Sequence, residues 1–117
     1  MSLVLRISDQ ANVDMIEIWC TIAEDNLRAA DQMIDAFVSA YTLLSTMPGA
    51  GRARTDLRSE LRSYSVHPYL VFYRHSPTQL DILRVIHGSR DLPILIEQEP
   101  TETFRMMPTK KEHTDEP

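Results

Sequence analysis

The sequence predicts an α+β fold: an N-terminal strand, a two-helix hairpin, and a three-stranded antiparallel meander, forming one small sheet packed on the helices. Three observations carry this. Apolar residues alternate over Leu3–Ile7. They then recur at helical spacing in two successive stretches. Finally, three strand-like segments lie between residues 60 and 87, separated by turn residues.

In Leu3-Val4-Leu5-Arg6-Ile7 the alternation places Leu3, Leu5 and Ile7 on one face. Ser8 and Asp9 suit a helix N-cap. After them Ala11, Met15, Ile18 or Trp19, and Ile22 form an apolar stripe, with Asp14, Glu17 and Glu24 expected to face elsewhere. This helix is expected to end near Asp25, and Asn26 then caps a second. The stripe of the second helix is Ala30, Met33, Ile34, Phe37, Tyr41 and Leu44, stopped by Pro48-Gly49. So short a link between two amphipathic helices predicts an antiparallel hairpin. Residues 49–58 read as a charged loop. Strands follow at about 60–66, 69–75 and 80–87, turned by His67-Pro68 and by Ser76-Pro77-Thr78-Gln79.

Setting His75 opposite Leu80 brings Arg74 across from Asp81, a favourable cross-strand pair. That register puts Leu61, Leu70, Phe72, Leu83 and Val85 on one face. The other holds Arg62, Tyr64, Val66, Tyr69, Val71, Tyr73, Ile82, Arg84 and Ile86, and a slip of one residue exchanges the two. Neither face is polar, so both need cover. The hairpin covers one. The second is expected to fall either to Leu92-Pro93-Ile94-Leu95-Ile96 or to another chain. The folded domain is therefore placed at 1–96, followed by a flexible polar tail at 97–117 in which Phe104, Met106 and Met107 offer a small docking spot.

A chain of 117 residues suits one domain with one core. No apolar run approaches the ~20 residues that cross a bilayer, and MSLVLRIS shows no secretory leader. Cys20 is the sole cysteine, which rules out an internal disulfide and suits a cytoplasmic location. The net charge of −5 is unevenly spread. Residues 1–51 set two basic side chains against seven acidic ones, whereas residues 52–91 set seven arginines against four acids. Every lysine-or-arginine position before Lys110 is arginine, the side chain suited to bidentate contact with carboxylate or phosphate. Either these arginines pair with the acidic helices, or the fold gathers them into an anion-binding surface.

Motifs for nucleotide binding or serine hydrolysis are missing, and His67, His75, His87 and His113 have no paired ligand spacing, so neither metal nor cofactor is expected. The best cluster for chemistry or recognition is His87-Gly88-Ser89-Arg90-Asp91 at the end of the last strand. There an imidazole can carry a proton and Arg90 can hold a carboxylate or phosphate. Equally, Asp91 can cap a turn, Arg90 can pair with a helix acid, and His87 can be an ordinary edge residue.

Taken in order, the motifs resemble the ParE/RelE superfamily of bacterial toxins, and its ParE branch in particular, across residues 3–96. They are Asp14 through Ile18-Trp19, the Pro48-x-x-Gly51-Arg52 turn, Leu61-Arg62-Ser63, Tyr69 with Phe72-Tyr73-Arg74, and the run from Ile82 to Asp91. The resemblance implies the toxin of a type II toxin–antitoxin pair, a hetero-oligomer with a partly disordered cognate antitoxin that neutralises it. ParE-like members inhibit DNA gyrase by binding, which implies no enzyme activity and no sequence-specific nucleic-acid contact. On that reading Arg84, His87, Arg90 and Asp91 face the target, while Trp19, Tyr64, Tyr69, Tyr73, Ile82 and Ile86 meet the antitoxin. RelE-like members instead cleave messenger RNA on the ribosome, and Arg62, His87 and Arg90 would then form the catalytic set. Against this, Leu70 stands where those nucleases carry an arginine, and Leu92-Pro93-Ile94 where their terminal aromatic is expected. A third reading is a non-toxic member acting as antitoxin partner or co-repressor.

Overall fold

The computed structural model describes residues 2–90 and the backbone of Phe104–Met106. Strand β1 (Val4–Ser8) runs directly into helix α1 (Asp9–Ala23). No loop is needed because Ser8 belongs to both elements. Its backbone is extended, and its Oγ accepts the Ala11 N–H at 2.9 Å, satisfying one of the donors that a helix start leaves open. Asn26 does the same for α2 (Leu27–Thr46), where its Oδ1 accepts from the Ala29 N–H at 3.0 Å. The expected stripe is the buried side of α2: Ala30, Phe37, Tyr41 and Leu44 are buried, with Met33 and Ile34 packed against them. The residue before a proline is biased away from helical backbone, and α2 stops one residue short of Met47. Pro48–Ala50 then makes a single 3-10 turn.

The remaining strands are β2 (Arg52–Ala53), β3 (Arg62–Val66), β4 (Tyr69–His75), β5 (Gln79–His87) and β6 (Phe104–Met106). They form one six-stranded sheet in the order β2-β3-β4-β5-β1-β6. The β1–β5 pair is parallel and every other neighbouring pair antiparallel. The expected meander thus sits inside a wider sheet. β2 and β6 extend it with two and three residues, too few to show an alternation in the sequence. The expected tail at 97–117 lies outside the described residues except for β6, and Leu92–Ile96 lies outside them altogether. No described helix is long and apolar enough to cross a membrane.

Pairing in the β4–β5 hairpin begins as expected, with His75 opposite Leu80 and Arg74 opposite Asp81. Asp81 is shared: Arg74 approaches at 3.7 Å, while Arg6 on β1 holds it with two bonds of 2.9 and 3.1 Å. Beyond this point the expected faces fail. Tyr73 pairs with Ile82 but Phe72 pairs with Arg84, so Leu83 is an extra residue, a β-bulge that exchanges the faces of all that follows. Val85 therefore joins the helix-side core with Tyr41, Val71, Tyr73 and Ile82, while Ile86 joins Leu61, Phe72 and Leu83 on the opposite face. That opposite face is not bare. All four of its core residues are buried, Leu57 packs against them, and the Arg54 guanidinium lies 5.7 Å from the Phe72 ring centre. Of the cover expected from Leu92–Ile96 or another chain, the first lies outside the described residues, and the 54–60 loop supplies part of it through Leu57.

The turn after α2 is tied down from below by Tyr73. Its hydroxyl donates to the Pro48 carbonyl at 2.6 Å and accepts the Gly51 N–H at 2.9 Å, so a buried phenol is fully satisfied. Arg62 adds bonds to the carbonyls of Gly49 (3.2 Å) and Gly51 (2.7 Å). A Cβ on Gly51 would strike the Tyr73 ring and come within 2.7 Å of the Ser63 carbonyl oxygen, which explains the glycine of the Pro-x-x-Gly-Arg turn. Gly51→Ala is accordingly expected to cost about 1–3 kcal/mol by overpacking, read as a lower urea midpoint at unchanged slope. Gly49 has open space around the same position, and Gly49→Ala serves as the tolerated control.

A second expectation concerns alkaline pH. Burial of Tyr41, and then the Asp14 carboxylate, push its phenol above the ordinary 10.0. Because the folded value lies above the unfolded one, the resulting stabilisation is complete below pH ~10 and is lost as the pH rises beyond it. Tyr41→Phe should remove that alkaline loss, seen as a flatter dependence of thermal midpoint on pH above ~10 than in the unsubstituted protein.

Candidate functional site

Strand β5 is longer than the strand beside it. β1 pairs only with Gln79–Ile82, then turns into α1, so β5 continues from Leu83 along an edge with no strand partner among the described residues. Two side chains take the place of the missing ladder. The Ser8 hydroxyl donates to the Leu83 carbonyl at 2.8 Å, and Asp14 Oδ2 accepts the Val85 N–H at 2.9 Å. Arg84 closes a bidentate pair on the same carboxylate, Nε to Oδ2 at 2.9 Å and Nη2 to Oδ1 at 3.1 Å. Gln10 adds a bond to Oδ1 at 3.2 Å. The pair is largely desolvated, with side-chain exposures of 14% for Arg84 and 7% for Asp14. A buried carboxylate is tolerated here because four hydrogen bonds, two of them from a guanidinium, compensate it.

This corrects the expectation that Asp14 faces away from the core. Asp14 lies three residues after Ala11 and four before Ile18, within the buried stripe of α1. An acid inside an apolar stripe was the signal available in the sequence, and the charge pattern alone concealed it.

Between α1 and the end of β5 lies a cleft of about 350 Å³. Arg84, His87 and Arg90 line one wall, Glu17 and Thr21 on α1 another, and Tyr69 on β4 contributes its ring. His87 is held by the turn that follows it. Its Nδ1 accepts the Ser89 N–H at 3.1 Å and lies 2.9 Å from Ser89 Oγ, which leaves Nε2 to carry the proton of the neutral ring. The Tyr69 ring meets it edge-on at 5.5 Å. The Arg90 N–H donates to the His87 carbonyl and the Gly88 N–H to that of Pro68, each at 3.0 Å, so the turn is tied both to itself and to the β3–β4 connection. The cleft thus presents an imidazole donor and the exposed Arg90 guanidinium beside an acidic helix wall. It is suited to holding a polar or acidic group of a macromolecule.

Three of the four residues expected to face a target, Arg84, His87 and Arg90, therefore come together, although Arg84 is engaged with Asp14. Asp91 lies outside the described residues. The nuclease set does not assemble. Arg62 sits across from Tyr73 and His87 across from Tyr69, a separation of four residues or about 13 Å along β4 at ~3.3 Å per residue, and the Arg62 guanidinium is occupied with backbone carbonyls. Of the residues expected to meet an antitoxin, Trp19, Tyr64 and Tyr69 are half-buried and keep some surface. Tyr73 and Ile82 lie in the core and Ile86 is buried in the opposite cluster, so these three offer no surface to a partner. The bulge is what takes Ile86 off the face to which it was assigned. Gln10, Glu17 and Thr21 were not foreseen, since only the packing of α1 against β5 brings them to the cleft. No group of three or more metal-ligating side chains occurs among the described residues.

Removing one partner of a buried pair strands the other. Asp14→Ala is expected to cost about 3–5 kcal/mol, whereas Arg90→Ala at the exposed rim should stay within ~0.5 kcal/mol of the parent. Urea unfolding of both variants makes the comparison.

Known proteins agree with this architecture. The family described as "ParE toxin of type II toxin-antitoxin system, parDE" matches residues 5–92. Toxin ParE3 of Caulobacter vibrioides is 34% identical over 80 residues, which span 68% of this chain and 80% of that protein. A solved structure described as "Chromosomal ParDE TA system from P. aeruginosa" superposes with a TM-score of 0.63, covering 74% of this chain and 96% of the other. At 17% identity that likeness supports the fold alone. The family match runs from within β1 to beyond the end of β5 and takes in every described residue of the α1–β5 cleft. This chain belongs to the ParE toxin family of type II toxin–antitoxin systems.

Proposed function

We propose that the chain acts by binding rather than by catalysis, with DNA gyrase as its target and a cognate antitoxin as its neutralising partner. The observation that carries this reading is the separation of Arg62 from His87 and Arg90. Cleavage at a phosphate needs a base, an acid and cations converging on one group. The α1–β5 cleft instead gathers Arg90 and His87 at its rim, with Arg84 committed to Asp14, an arrangement suited to docking. Arg84, His87, Arg90 and Asp91 form the proposed target-facing surface, of which Arg90 and His87 are the exposed members among the described residues. Trp19, Tyr64 and Tyr69 remain the proposed antitoxin contacts, in a hetero-oligomer. A cytoplasmic location follows from a gyrase target. Residues 1–96 are the proposed toxin domain, and 97–117 are proposed as a flexible extension apart from Phe104–Met106, which pairs with β1.

Purified protein should inhibit supercoiling by gyrase, and Arg90→Glu should weaken that inhibition about tenfold or more while the unfolding midpoint stays put. Addition of the protein encoded by the adjacent gene should restore supercoiling. Intact gyrase activity alongside cleavage of translated messenger RNA would instead favour a ribosome-dependent nuclease. Growth unaffected by expression of the chain alone would favour a non-toxic member.

A further inference from the structure

The turn after β5 does more than end the strand, because it chooses the tautomer of His87. A neutral imidazole carries its proton on either nitrogen, and that choice decides whether the other nitrogen donates or accepts. The backbone N–H of Ser89 can only donate. It meets His87 Nδ1 at 3.1 Å, so Nδ1 keeps its lone pair. Ser89 Oγ, 2.9 Å from the same atom, then donates to it as well. Nε2 is left to bear the hydrogen on a ring that lines the cleft. The ring is braced edge-on by Tyr69, and the turn is closed by the Arg90 N–H on the His87 carbonyl.

The charges facing this ring select what it can hold. Asp14 and Glu17 line the cleft from α1, Arg84 from β5, Arg90 from the turn, and the Tyr69 phenol from β4. Asp14 and Arg84 neutralise each other in their bidentate pair. Arg90 and Glu17 balance as well, so a neutral His87 sits among charges that cancel. A carboxylate entering the cleft would lose hydration, meet Glu17 and find no spare positive charge. An uncharged acceptor meets none of these costs and still receives the Nε2 hydrogen. A main-chain carbonyl oxygen has that chemistry.

We infer that Ser89 is a positioning residue: it fixes the Nε2–H tautomer of His87, so that the cleft recognises an uncharged main-chain carbonyl on a protein partner. This deepens the function proposed above and rests on that reading for the identity of the partner.

Nitrogen-15 spectra of the histidine rings in the full chain, recorded above pH ~8 where imidazoles are ordinarily neutral, read the tautomer with no target present. His87 should hold the Nε2–H form more completely than the exposed His75, and Ser89→Ala should raise its Nδ1–H share. Supercoiling by gyrase then reads recognition. An amide introduced by His87→Gln reaches the place of Nε2, and one introduced by His87→Asn reaches that of Nδ1. The Gln variant should therefore inhibit about fivefold better than the Asn variant, and Ser89→Ala should lose about threefold, all at unchanged unfolding midpoints. His87→Lys, which keeps a donor but adds charge, should weaken inhibition. The inference is overturned by a His87 tautomer mixture matching that of His75, by no change of it in Ser89→Ala, or by equal inhibition from the Gln and Asn variants. A gain in His87→Lys would give the cleft to a carboxylate and would overturn the uncharged guest. A parent chain that leaves supercoiling untouched would overturn the gyrase reading and the guest with it, while the ring spectra decide the tautomer in either case.

Discussion

The architecture depends on a mismatch of length between two neighbouring strands. β1 ends at Ser8 because the same residue must cap α1, whereas β5 continues five residues past its last partner on that side. A buried strand edge with open backbone groups is costly. The Ser8 hydroxyl and the Asp14 carboxylate answer for it by bonding the Leu83 carbonyl and the Val85 N–H. The bulge at Leu83 falls in the same stretch, on the β4 side of β5, and decides which of Val85 and Ile86 meets the helices. The cleft bearing Arg84, His87 and Arg90 lies where this stretch meets α1.

The arginine-rich half of the sequence looks like a basic surface, and folding neutralises much of it. Arg6 and Arg74 share Asp81, Arg84 is bound to Asp14, Arg54 pairs with Asp56 and lies over Phe72, and Arg62 serves backbone carbonyls. In most of these the planar fork is used for bidentate or stacked contacts that lysine makes poorly. The Arg54 guanidinium also holds the Asp56 carboxyl below its ordinary range through a hydrogen bond. Arg28, Arg52 and Arg90 are exposed, and of these Arg90 alone lines the mouth of the cleft.

Both apolar faces of the sheet are closed by different means. The helices bury one through Phe37, Tyr41 and Leu44, and the loop carrying Leu57 shares in burying the other. The exposed apolar surface has moved to the outside of the hairpin, where Ile16 and its neighbours stand in solvent. A small single-core domain has two faces of sheet to cover and only two helices, so surplus apolar residues end on the helix backs.

Whatever repeats over a few residues was legible before folding was considered. The stripe of α2, the caps at Ser8 and Asn26, the glycine required at 51 and the Arg74–Asp81 register each depend on a few neighbouring residues with one favourable geometry. The family was legible for the same reason, being written in short motifs at fixed spacing. Tertiary structure alone decided the burial of Asp14, the flip at Leu83, the two-residue strand β2 and the meeting of Glu17 and Thr21 with His87 and Arg90. Each of these answers a demand arising between residues far apart in the chain, Asp14 and Val85 being 71 positions apart. A local pattern carries no record of which backbone groups a distant strand will leave open, so the site became visible only where α1 crosses the end of β5.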